Sequence, residues 1–148
     1  MKTKLNEDAR IKLAVYRPQI DKIITAISDY YHLSSIEIGS RNRFRGTIQA
    51  RRRVCFYVKE YVHNCPLSIV GYILNHNRPF DHASIINYVK KHSQELNLKR
   101  RDGSFVYPEL REEDYQLRRL IESRLMLNKL WIEDFANSSA NFLISEAV

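Results

Sequence analysis

Apolar residues recur three and four positions apart along most of this chain, and that spacing constrains its fold more than any other feature. Ile20, Ile23, Ile24, Ile27, Tyr30 and Tyr31 form one such series. Val54, Tyr57, Val58, Tyr61 and Val62 form a second, and Ile85, Ile86, Val89 and Leu96 a third. Residues so spaced lie on one face of a helix, whereas a strand would need alternation. Only four Gly and four Pro interrupt 148 residues, too few for a meander of strands and turns. The expected fold class is therefore all-α.

The punctuation divides the helices. Pro18 suits a first helical position, opening a helix to about Tyr31, with residues 1–17 a short helix or a frayed arm. Ser34 or Ser35 can cap a short helix carrying Ile36 and Ile38, and Gly39 ends it. After a loop over 40–46, Thr47 can cap a third helix to about His63. On it Arg51, Arg52 and Lys59 are expected to point away from the apolar stripe. Pro66 opens a short fourth helix that buries Leu67, Val70, Ile73 and Leu74. A turn over 76–80 leads to Asp81, a strong N-cap for a fifth helix to about Leu96. The fourth and fifth helices with their turn make a helix-turn-helix pattern, whose second helix reads DNA by its N-terminal residues. Residues 98–108 read as a linker after a domain over 1–97, and 109–148 as a helical extension. Its early acids Glu109, Glu112, Glu113 and Asp114 suit the helix dipole.

Charge is distributed unevenly. Arg41, Arg43, Arg45, Arg51, Arg52, Arg53 and Lys59 fall within 41–59, with no Asp or Glu from Ile38 to Lys59. These seven equal the formal net charge of +7, and the other 17 Lys and Arg balance 17 Asp and Glu. A solvated helix face would intersperse glutamates; a local cluster of guanidinium groups suits a phosphate backbone.

Other classes find less support. Cys55 and Cys65 make no disulfide framework. A zinc site would have to recruit His63, His76 or His82 without any Cys-x-x-Cys pair, so no metal or other cofactor is expected. The nine tyrosines mostly fall on apolar stripes, and no cluster of carboxylates or nucleophile beside a base suggests an enzyme. The start, MKTKLNEDARIKLAV, lacks an apolar signal core, and no run reaches membrane-span length. A cytoplasmic protein is expected.

The order of features resembles the C-terminal double-strand-binding domain of the DnaA family of bacterial replication initiators. The likeness runs through ISDYY, SRNRFRG, ARRR, VKEY, PLSIVG and DHAS, over residues 20–94, about half of the chain. It is ungapped from Ile27 to Glu60, and its turn around 76–80 is longer than the family's. The resemblance implies a Trp-repressor-like helix-turn-helix bundle, here with an additional long C-terminal helix.

It also implies roles. The basic loop, with Arg41, Arg43 and Arg45, would lie at the minor groove, Arg43 entering it. Arg51, Arg52 and Lys59 would meet phosphates and a base edge, and Leu67 the sugar-phosphate backbone. Asp81, His82, Ala83 and Ser84 would read bases in the major groove, Asp81 serving also as the cap. Two departures bear on specificity: the family has Thr, Thr where this chain has Ala83 and Ser84, and Gln where it has Arg52. No GxxxxGK[ST] loop is present, so no nucleotide is expected and the initiator's ATPase is missing.

The expected function is a sequence-preferring double-stranded DNA-binding protein, phage-encoded or from a mobile element, regulating replication or transcription by site occupancy. The rival is a protein-interaction or structural module with a vestigial DNA-binding fold. Residues 109–148 hold eight acids and five bases, which suits a protein partner better than DNA. Leu117, Leu120, Ile121, Leu125, Met126, Leu127, Leu130, Trp131, Ile132 and Phe135 surround that helix late in its course, which suggests a homodimer. The tail at Phe142, Leu143 and Ile144 folding back over them is the alternative.

Overall fold

A computed structural model describes residues 7–125. Among these it is all-helical, with six helices: α1 (Glu7–Tyr31), α2 (Ser35–Gly39), α3 (Arg45–Tyr61), α4 (Leu67–Leu74), α5 (His82–Asn97) and α6 (108–125). No helix among them is long and apolar enough to cross a membrane.

α3 is the axis of the molecule and packs on α5, α1 and α2. Its residues Arg53, Val54, Cys55, Phe56, Tyr57 and Val58 are all buried, and such a consecutive run covers every side of a helix. The expected stripe is there, with neighbours packed against its flanks as well. Burial pushes the Cys55 thiol up to about 12, so Cys55 behaves as a small apolar residue.

Several boundaries differ from expectation. α1 does not open at Pro18 but runs through it. Pro18 and Ala14 are both exposed, so water can reach the carbonyl that proline leaves without a donor. α3 begins at Arg45 rather than after a Thr47 cap. Phe44 stands at its N-cap position without a side-chain bond, and Thr47 is buried in the first turn. Two caps match: Ser34 accepts from the Glu37 N–H at 3.1 Å, and Asp81 from the Ser84 N–H at 2.7 Å.

Between α5 and α6 the chain turns tightly. Lys99 and Phe105 form an isolated antiparallel bridge, the Val106 N–H donates to Leu98 O at 2.9 Å, and Gly103 holds φ +88° at the turn. α6 then returns to the bundle. Leu110, Leu117 and Ile121 belong to the same apolar core as α1, α3 and α5, so no break in packing separates 109–125 from the rest. A row of hydroxyls completes the contact: Tyr57 donates to Asp114 at 2.6 Å, Tyr61 to Glu122 at 2.9 Å and Tyr30 to Gln116 at 2.9 Å. Burial and these carboxylates raise the Tyr57 and Tyr61 hydroxyls well above their usual range. The apolar positions offered for a homodimer lie mostly after Leu125, outside the described residues. Within them, Leu117 and Ile121 are committed to the core.

Candidate nucleic-acid interface

The site is assembled by close backbone approach. A side chain at Gly39 would place its Cβ against the Leu74 carbonyl, and one at Gly71 against the Phe80 carbonyl. The end of α2 thereby seats on the end of α4, where Asn75 Nδ2 donates to Gly39 O at 3.0 Å. The turn over 75–81 folds back on α4, with the Phe80 N–H reaching Gly71 O at 3.4 Å. Loop 40–44, which follows α2, and the turn that precedes α5 become neighbours.

Two arginines fasten them. Arg41 donates to Arg78 O at 2.8 Å and to Pro79 O at 2.6 Å, and its guanidinium lies 4.3 Å from the centroid of the buried Phe80 ring. The Arg51 guanidinium lies 4.8 Å from the same centroid. Beside this pair Asp81, His82 and Ala83 are exposed at the tip of α5, and Ser84 is half-buried. The Ser84 N–H, and more weakly Arg41, hold the Asp81 carboxyl below its usual range, so it is a carboxylate at neutral pH.

Arg51 corrects the expectation of an outward side chain. It is 3% exposed, its Nε donates to Ile38 O at 3.0 Å, Nη1 to the Tyr88 hydroxyl at 3.2 Å and Nη2 to Ser40 O. With every face engaged it braces α2, the basic loop and α5. Arg51→Met is expected to cost about 1.5–3 kcal/mol, because the buried Ile38 carbonyl and the half-buried Ser40 carbonyl lose a charged donor. Denaturant unfolding measures it; an unchanged midpoint would contradict the bracing role.

Arg53 is likewise buried, with Nη2 3.1 Å from a Glu113 oxygen. Of the seven cations in the cluster, three therefore serve the fold: Arg41, Arg51 and Arg53. Arg52 is half-buried, 3.9 Å from Glu95, a long pairing. Arg43, Arg45 and Lys59 are exposed, and none has an ion pair among the described residues. Lys59 sits in the last turn of α3, about 20 Å along the axis from Arg45, away from the loop. Leu67 is the first residue of α4 and half-buried.

Arg43, Arg45 and Arg52 also line a cleft of about 640 Å³ between α3 and the start of α6, together with Glu95, Glu109 and Glu113. The structure thus brings Arg41 to the α5 tip, turns Arg43 and Arg45 to an adjoining face, and leaves Lys59 apart. Reading the sequence missed Phe80, whose ring carries both guanidiniums; no local signal distinguishes it from an ordinary turn aromatic. Among the described residues no group of His, Cys, Asp and Glu could hold a metal ion. No family model matches the chain, and neither the curated proteins nor the solved structures contain a match to it.

Proposed function

We propose that this chain is a sequence-preferring double-stranded DNA-binding protein that acts by occupying sites, not by catalysis. In this reading α4, the turn over 75–81 and α5 form a helix-turn-helix unit of the kind found in the DnaA family. Asp81, His82, Ala83 and Ser84 meet base edges in the major groove, and the loop with Arg41, Arg43 and Arg45 follows the adjoining backbone. One observation carries it. Arg41, bonded to the carbonyls of Arg78 and Pro79, holds a loop rich in cations and free of acids beside the exposed tip of α5.

Electrostatic attraction supplies affinity, and the α5 tip supplies preference. Arg43, Arg45, Arg52 and Lys59 meet the phosphates in this assignment. Arg51 and Arg53 are excluded from it by their burial. Binding to duplex DNA is then expected to weaken linearly with the logarithm of salt concentration. The combined variant Arg43→Ala and Arg45→Ala should reduce that slope by about 2, about one for each phosphate left without its cation. Fluorescence anisotropy across a salt series reads both quantities. A slope unchanged in the double variant would put the DNA surface elsewhere on the molecule.

A further inference from the structure

Phe44 is one of seven large apolar side chains exposed among the described residues, and it stands out by its flanking arginines. It is 73% exposed, between the exposed side chains of Arg43 and Arg45. Its backbone, by contrast, is held on both sides. The Phe44 N–H donates to Asn42 Oδ1 at 3.3 Å, and its carbonyl accepts from the Ile48 N–H at 3.0 Å as α3 begins. The ring is thus a projection on a braced support, and the loop behind it is fastened to the turn before α5 through Arg41.

The surroundings select the occupant. A protein interface would surround such a ring with further apolar side chains that form its buried core, inside a polar rim. Here the flanking residues are the exposed Arg43 and Arg45, neither with an ion pair among the described residues; of the acids in the cleft they also line, Glu95 pairs with Arg52 and Glu113 with Arg53. After Arg45 comes Gly46, where an added Cβ would meet nothing within 4 Å, so a backbone can draw close. An aromatic ring between cations on a rigid turn fits the base stack: the ring is taken between two base pairs while the guanidiniums meet the phosphates beside it.

Resting on the DNA reading above, we infer that Phe44 is an apolar wedge. It enters one base step from the minor groove, partly unstacks it and kinks the duplex toward the major groove, bringing the flanking DNA toward the α5 tip. Flexible pyrimidine–purine steps are the ones it takes most easily.

The test uses the full chain and an A·T-rich duplex with one central TA step, 2-aminopurine at that step and a donor–acceptor pair at its ends. Unstacking brightens 2-aminopurine, and a kink of roughly 20–90° raises energy transfer between the ends. The wild-type protein should produce both signals. Phe44→Ala should abolish both, weaken binding by about tenfold and keep the salt slope, since every cation that meets a phosphate stays in place. Phe44→Leu, which keeps a wedge, should retain the kink. If wild-type complexes form without either signal, or if Phe44→Ala keeps them, the wedge is overturned and the DNA reading stands. If the wild-type protein does not bind the duplex at all, the DNA reading falls and the wedge with it.

Discussion

Gly39→Ala is expected to destabilise the protein by about 3 kcal/mol or more, lowering its Tm by roughly 10 °C. The added methyl would fall on the Leu74 carbonyl, which is backbone at the end of α4 and cannot swing aside as a side chain could. Relief requires α2 to move away from α4. That movement would break the Asn75–Gly39 hydrogen bond and take Ile38, which is fully buried, out of the core. It would also separate loop 40–44 from the turn before α5, so DNA binding should fall even where folded protein remains. Gly46→Ala is the matched control. An added Cβ there has open space, and in the first turn of α3 alanine should be neutral or stabilising by up to about 1 kcal/mol. Thermal unfolding of the two variants side by side reads the difference; equal midpoints would contradict the close approach.

The second large effect is a loss of stability in acid, and it centres on His92. Its side chain is 0% exposed, packed edge-on against Phe56 with ring centroids 4.6 Å apart and against Tyr57 at 6.0 Å. Neither ring nitrogen has a hydrogen-bond partner. Burial, reinforced by the nearby Arg53 guanidinium and opposed by Asp114, pulls its pKa from 6.5 down to about 3. The folded pKa is depressed, so between these values the unfolded chain binds a proton that the folded protein refuses. Stability from this group is complete above pH 6.5 and is lost as pH falls toward 3. The loss approaches about 1.4 kcal/mol per pH unit and reaches about 4 kcal/mol by pH 3.5. Denaturant unfolding at several pH values should show the slope in wild type, and His92→Leu should remove it between pH 4.5 and 6.5. An identical slope in both proteins would assign the acid sensitivity to other groups.

His92 also illustrates what a linear pattern conceals. Ile85, Val89 and Leu96 are buried on α5 as their spacing requires, and His92 lies between them on the same face. The apolar series does not include it, and the ring fills a space against Phe56 and Tyr57 that only the packed bundle creates. The three consecutive arginines make the same point. Arg51 and Arg53 turn inward while Arg52 stays half-exposed, because the Ile38 and Ser40 carbonyls stand on one side and Glu113 on the other. Those acceptors come from α2, the residue that caps it and α6, more than a helical turn away in sequence, and nothing local marks them.

The acids at the start of α6 were legible as a favourable charge for a helix N-terminus. Their pairing with Arg53 and Tyr57 was not. Features governed by neighbours within a turn or two are legible in the chain: the Ser34 and Asp81 caps, the opening of α4 after Pro66, and the apolar stripe of α3. For the candidate site, the tip of α5 and the cationic loop were visible in the chain. The clamp that sets them side by side, with the guanidiniums of Arg41 and Arg51 both on the Phe80 ring, needed the fold.

Selection from a pool of random duplex DNA, followed by sequencing of the bound molecules, tests the central claim most directly. The wild-type chain should enrich a defined motif. His82→Ala or Ser84→Ala should lose preference at one or two of its positions, about 1–3 kcal/mol for each base edge no longer met, while non-specific affinity is retained. A pool that stays random with wild-type protein, or a motif identical in both variants, would contradict the assignment of the α5 tip as the reading surface.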